Sequence, residues 1–144
     1  MNKFLLALAI FVLVLVSMGI TRRPPAAKDQ NWSEYLGGSD RNHYSPLDQV
    51  NINNVAQLTK AWEYHTLDSG QIQCNPLVVD GILYGMTATT QPFAIDAATG
   101  MEHWRGIHKG GDKSGNSRGL VYWQNGKDKR ILYSSGPWLY ALDA

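Results

Sequence analysis

Cysteine is almost missing from this chain: Cys74 is the only one in 144 residues. That excludes an internal disulfide and any multi-cysteine zinc site. It leaves Cys74 to be read as a small, partly buried apolar residue. Net charge is also nearly absent, at +1, so there is no basic stripe to bring a nucleic-acid partner. The four histidines, His43, His65, His103 and His108, fall at no ligand spacing such as His-x-x-x-His. They read as ordinary surface or partly buried residues, and no metal ligand is assigned among them. Low-complexity sequence is confined to Gly110-Gly111-Asp112-Lys113-Ser114-Gly115-Asn116. This stretch lacks the Gly-x-x-x-x-Gly-Lys-Ser/Thr spacing and leads into a strand pattern rather than a helix, which excludes a phosphate loop.

What the chain does have is aromatic residues and glycine. Five Trp, seven Tyr and 14 Gly predict many short strands, tight turns and large aromatic packing groups. At the N-terminus, Lys3 precedes an apolar run from Phe4 to Ile20. Residues 1–21 therefore read as a secretory signal or a membrane anchor, the run falling between a signal core and a full span of about 20 residues. Pro24-Pro25-Ala26-Ala27 offers a place for cleavage, while Arg22 and Arg23 blur the charge asymmetry that would set orientation. Either reading takes the body of the protein across the inner membrane, to a periplasmic location, soluble or held through residues 4–20. Residues 22–30 are a polar, proline-containing linker, and residues 31–144 the folded part.

Within that part, Asn53 or Asn54 can cap a short lead-in helix with Val55, Leu58 and Trp62 on one face. Trp62 can instead begin a strand through Thr66. From Asn75 onward the texture is β. Pro76 to Val79 and Ile82 to Met86 flank Asp80-Gly81, a dipeptide suited to a two-residue hairpin turn. Phe93 to Asp96 and Glu102 to Arg105 flank Ala98-Thr99-Gly100. The pattern then repeats. Arg118 to Trp123 is apolar and aromatic, Asn125-Gly126 is a second hairpin signal, and Ile131-Leu132-Tyr133 lies 49 residues after Ile82-Leu83-Tyr84. Tyr140-Ala141-Leu142-Asp143-Ala144 lies 47 residues after Phe93-Ala94-Ile95-Asp96-Ala97. Four short strands recurring at such a period are the mark of propeller blades. Asp96 and Asp143 belong to the repeat and read as turn-stabilising residues. The second copy stops at Ala144, inside a blade. The expected fold class is therefore all-β: an incomplete β-propeller of about two blades of four antiparallel strands, preceded by the N-terminal hydrophobic helix and the short lead-in helix.

These motifs resemble the quinoprotein dehydrogenases that use pyrroloquinoline quinone (PQQ). The resemblance runs from about Trp32 to Ala144. Its lead-in is carried by Trp32, Tyr35, Gly37-Gly38, Tyr44-Ser45-Pro46-Leu47, Ile52-Asn53-Asn54-Val55, Leu58 and Ala61-Trp62. The blade signature is Ala94-Ile95-Asp96-Ala97-Ala98-Thr99-Gly100 with Trp104, and the most specific element is Arg118-Gly119-Leu120-Val121-Tyr122-Trp123. The resemblance implies the N-terminal part of an eight-bladed propeller, with Trp104 packing between adjacent blades. It implies that Arg118 contacts PQQ, a tricarboxylate quinone to which a planar guanidinium is suited. At the second candidate position, three residues before Pro76, the family often has glutamate and this chain has Gln73, which keeps an acceptor and gains a donor but loses the charge. The adjacent cysteine pair of several alcohol-oxidising relatives is replaced here by the 110–116 stretch, which points away from the methanol-oxidising branch.

The implied activity is oxidation of an alcohol, polyol or sugar with PQQ and calcium, passing electrons to a quinone or cytochrome c. The family places the calcium ligands and catalytic base further along the chain, so no catalytic residue is assigned here. The alternative is a non-catalytic propeller scaffold or binding protein. A scaffold lipoprotein would need a cysteine after the apolar run, which this chain lacks. Sequencing past the codon for Ala144 tests the repeat: further blades of similar period are expected, and a stop codon there would refute that expectation.

Overall fold

The computed structural model describes residues 31–106 and 118–144. The expected signal or anchor (1–21), the linker (22–30) and the glycine-rich 110–116 stretch lie outside the described residues. Among the described residues no helix is long and apolar enough to cross a membrane.

Among the described residues seven strands form two antiparallel meanders. The first sheet holds β1 (Leu77–Val79), β2 (Ile82–Met86), β3 (Pro92–Asp96) and β4 (Glu102–Arg105), in that order. The second holds β5 (Val121–Asn125), β6 (Asp128–Ser135) and β7 (Trp138–Asp143). Turn chemistry sets the registers. Asp80 and Gly81 take φ of 51° and 80° between the pair Val79 and Ile82. Aspartate and glycine are the residues that tolerate the two positive φ values of such a turn. The second hairpin is displaced by one residue from the expected Asn125-Gly126 turn. Asn125 pairs with Asp128, so the turn is Gly126-Lys127, with Gly126 at φ 59°. The strand expected from Arg118 also begins later, at Val121, because Gly119 pairs outside the sheet, forming a parallel bridge with Asn75.

The expected lead-in helix shrinks to one 3-10 turn, Val55–Gln57. Leu58 is already extended, at ψ 135°. Val55 and Leu58 are 50% and 61% exposed, so there is no packing to stabilise an apolar stripe on so short a helix. Trp62 lies beyond it, outside any strand.

β2 and β3 are buried along most of their length, and the buried side chains of the two sheets meet. Leu77, Val79, Tyr84, Met86 and Ala94 of the first sheet share one core with Leu120, just before β5, and with Ile131 and Tyr133 of β6. Trp104 packs against this core, with its ring 6.2 Å from Tyr84. It lines a cavity of about 220 Å³ with Ile82, Tyr84, Ala94, His103 and Ala144. The expected position of Trp104 between neighbouring sheets is thus observed. Trp62, 42 residues earlier, makes an analogous contact that the sequence did not suggest. Its indole N–H donates to the Ala97 carbonyl at 3.2 Å, and its ring covers Gly100.

The turn that receives Trp62 is built around Asp96. One carboxylate oxygen accepts the Ala98 and Thr99 N–H groups, at 3.0 and 2.8 Å, and the Thr99 hydroxyl at 2.8 Å. The turn-stabilising role expected of Asp96 is therefore observed. Gly100 closes the turn at φ 74°, and a Cβ there would lie 2.7 Å from the Trp62 ring. Gly100→Ala combines a strained backbone with that overlap, so a loss of about 1–3 kcal/mol in unfolding free energy is expected. Chemical denaturation of the full chain, compared with Gly81→Ala, checks it. A Cβ at Gly81 meets nothing within 4 Å, so that variant reports backbone strain alone.

Candidate functional site

The two residues assigned to cofactor binding from the sequence sit at the entrances of the two meanders. Gln73 precedes β1 and Arg118 precedes β5. The chain brings these entrances together. The Asn75 N–H donates to the Arg118 carbonyl at 3.2 Å, and the Asn75 side-chain amide donates to the same carbonyl at 3.4 Å. Asn75 and Gly119 form a parallel bridge, as expected where the first strands of neighbouring sheets run side by side. The 73–75 and 118–119 segments are therefore joined.

Arg118 is exposed. Among the described residues no carboxylate forms an ion pair with its guanidinium, whereas Arg105 and Arg130 are paired with Glu102 and Asp128. The Gln73 amide is half-buried and donates to the Gln71 side-chain carbonyl at 3.2 Å. Between them, Cys74 is packed against the shared core. Burial pushes its thiol up from the ordinary value, so it is not poised as a thiolate nucleophile. The apolar reading of Cys74 holds.

The lead-in segment flanks this junction. Trp32 exchanges two backbone hydrogen bonds with Val78, at 2.7 and 3.0 Å, on the free edge of β1. Asn75 sits beside Gly119, and the Tyr35 ring faces that same glycine: a Cβ built on Gly119 would lie 3.5 Å from Tyr35 Cδ2. The Arg41 guanidinium stands 5.8 Å from the centre of the Tyr35 ring. Below, Asp80 ties three parts together. Its N–H donates to the Asn31 side chain at 3.0 Å and its carboxylate receives Lys129 of β6 at 2.8 Å.

A second polar group lines the end of the first sheet where β1 begins and the β2–β3 turn lies. Asp68 accepts the Thr89 N–H at 2.9 Å and the Thr89 hydroxyl at 2.7 Å. Thr90 meets Ser135 of the second sheet at 3.1 Å. Desolvation raises the Asp68 carboxyl, but the surrounding threonine donors outweigh it and hold the group well below the usual carboxylate range. It is a fixed carboxylate, not a proton carrier near neutrality. Neither Asp68 nor Asn75 was singled out in the sequence; an asparagine before proline and an isolated aspartate carry no signal of such pairing.

Among the described residues no three His, Cys, Asp or Glu side chains converge to hold a metal ion. Among the described residues the arrangement therefore offers a cation without an ion pair, and an amide, to an anionic, planar ligand.

Residues 32–144 match the model of the PQQ-type glucose/ethanol/alcohol dehydrogenase β-propeller domain. The chain is similar to the dehydrogenase subunit of the quinone-dependent alcohol dehydrogenase of Acetobacter aceti. The two are 42% identical over 106 residues, which is 68% of this chain and 14% of the relative. It is 31% identical to the quinate/shikimate dehydrogenase (quinone) of Acinetobacter baylyi, covering 70% of this chain and 14% of the relative. The quinoprotein glucose dehydrogenase of Escherichia coli is 38% identical over 84 residues, covering 53% of this chain and 11% of the relative. The chain thus spans a small part of the relatives it matches.

Asp68, Asp80, Asp96 and Glu102 all have carboxyls held below their ordinary values, chiefly by hydrogen bonds. Unfolded carboxyls take up protons at about pH 4, while the folded ones resist protonation to lower pH. Their stabilisation is therefore complete above that range and is lost as pH falls through the folded values. The melting temperature should fall steadily below about pH 4, and Asp68→Asn should flatten part of that slope. A melting temperature independent of pH between 5 and 2.5 (roughly the range set by these carboxyls) would refute this.

Proposed function

Because this chain belongs to the PQQ-dependent dehydrogenase family, whose β-propeller domain its residues 32–144 match, we propose that it is the N-terminal segment of a periplasmic enzyme oxidising an alcohol, polyol or sugar with PQQ. The observation that carries the reading is the junction at Asn75 and Gly119, which brings the Gln73 and Arg118 segments together. The relatives are quinone-dependent dehydrogenases of alcohols, quinate or shikimate, and glucose, which supports the reaction class.

When bound, the quinone supplies two-electron oxidation of a C–OH group. This chain's own part is to bind and orient. Arg118 offers a planar, permanently charged fork to a carboxylate or quinone oxygen. Gln73 offers a neutral donor and acceptor, so it orients a ring edge without adding charge. Calcium belongs to the proposal as a Lewis acid, with ligands and catalytic base supplied beyond residues 31–144. Electrons pass to a quinone or cytochrome c, and residues 1–21 direct the protein across the inner membrane or hold it there.

The test is made on the full product of the gene. Titration with PQQ, read by quenching of tryptophan fluorescence, should saturate. Arg118→Ala should raise the dissociation constant about tenfold or more, as expected for loss of a charge-assisted contact. Dye reduction with alcohols or sugars should require PQQ. A protein that binds a sugar or alcohol but not PQQ would overturn the reading.

A further inference from the structure

The Arg118 carbonyl is held from one side by two donors of one residue. The Asn75 N–H reaches it at 3.2 Å and the Asn75 side-chain amide at 3.4 Å. A carbonyl has two lone pairs and can accept both. The backbone bond alone would leave the 118–119 peptide free to tilt about it; a second donor from the side chain removes that freedom. The Tyr35 ring lies beside Gly119, so the peptide is bounded by packing as well. Beyond it no ion pair from the described residues steadies the Arg118 guanidinium, and its aim depends on the main chain that carries it.

Other short side chains do this less well. Asparagine reaches the carbonyl with a neutral amide while its backbone N–H bonds the same atom. Aspartate would turn a carboxylate towards a carbonyl oxygen, and alanine would leave only one bond. The following Pro76 favours extended backbone at Asn75, which keeps the residue in register with Gly119.

We propose that Asn75 is a positioning residue, whose paired hydrogen bonds to the Arg118 carbonyl set the direction in which the guanidinium meets the cofactor. The proposal rests on the reading that Arg118 contacts PQQ.

A double-mutant cycle in the full product of the gene tests it, with PQQ affinity by fluorescence quenching as the readout and the apo melting temperature alongside. Asn75→Ala should weaken PQQ binding about tenfold, the scale of one lost hydrogen bond. In an Arg118→Ala background the same change should weaken binding no further, since the group it aims is gone. Asn75→Ser, which keeps a short donor, should restore part of the affinity, and it replaces alanine in the cycle if that variant does not fold. Equal losses in both backgrounds would overturn the proposal, as that is the behaviour of a residue acting on stability alone or by its own cofactor contact. Unchanged affinity in Asn75→Ala would overturn it too. If Arg118→Ala alone binds PQQ as tightly as the parent, the cofactor reading of Arg118 fails first, and this proposal falls with it.

Discussion

The structure depends on burial of one sheet against the next. A meander of four strands, each three to five residues long, has two faces and too little area to bury both by itself. Tyr84, Met86 and Ala94 therefore share their core with Leu120, Ile131 and Tyr133 across the junction. Trp104 packs against that shared core and lines the cavity beside it. Opposite hydrogen-bonding needs are met at the edges: Trp32 occupies the free edge of β1, and Asp80 with Lys129 closes the base. Val121, Trp138 and Leu139 of the second sheet remain exposed, which is the same demand for burial left open on the other side.

That packing also produces the candidate site. Sheets stacked face to face bring their first strands side by side, and the segments leading into those strands then converge. Asn75 and Gly119 meet for this reason. The segments that carry Gln73 and Arg118, 45 residues apart in the chain, are joined through Asn75 without any element built for the purpose. Arg105 serves a different end. It donates to the carbonyl of Thr66 and to Tyr64 and Glu102, fastening the lead-in to β4. Burial and Glu102 push the Tyr64 hydroxyl up to about 12, so this clamp stays neutral at tyrosine across physiological pH.

Local chemistry made most of the β-structure legible. Asp80-Gly81 named its turn correctly because two adjacent positive φ values have few other solutions. The repeat of Ile-Leu-Tyr and of the Ala-x-Asp motif placed four of the strands, β2, β3, β6 and β7. Asn125-Gly126 misled by one residue, since the glycine fits the first position of its turn as well as the second. The lead-in helix failed because periodicity describes a face, not whether anything covers it. Trp104 could be placed between the sheets from the family resemblance. Trp62 could not, having been read only as part of the lead-in. At the site, Gln73 and Arg118 were reachable from the family resemblance, whereas Asn75 acts through a carbonyl 43 residues away, and no local pattern encodes that.

The two indoles share a direction. Trp62 seats on the turn at Ala97–Gly100, which comes after it in the chain, and Trp104 borders Ala144, which comes after it in turn. Each ring is made before the surface that receives it. During synthesis from the N-terminus, an indole must therefore wait until the ribosome has delivered the next turn, and its capture marks that unit as complete. Assembly is then ordered in time as well as in space, with each stage sealed by the one that follows.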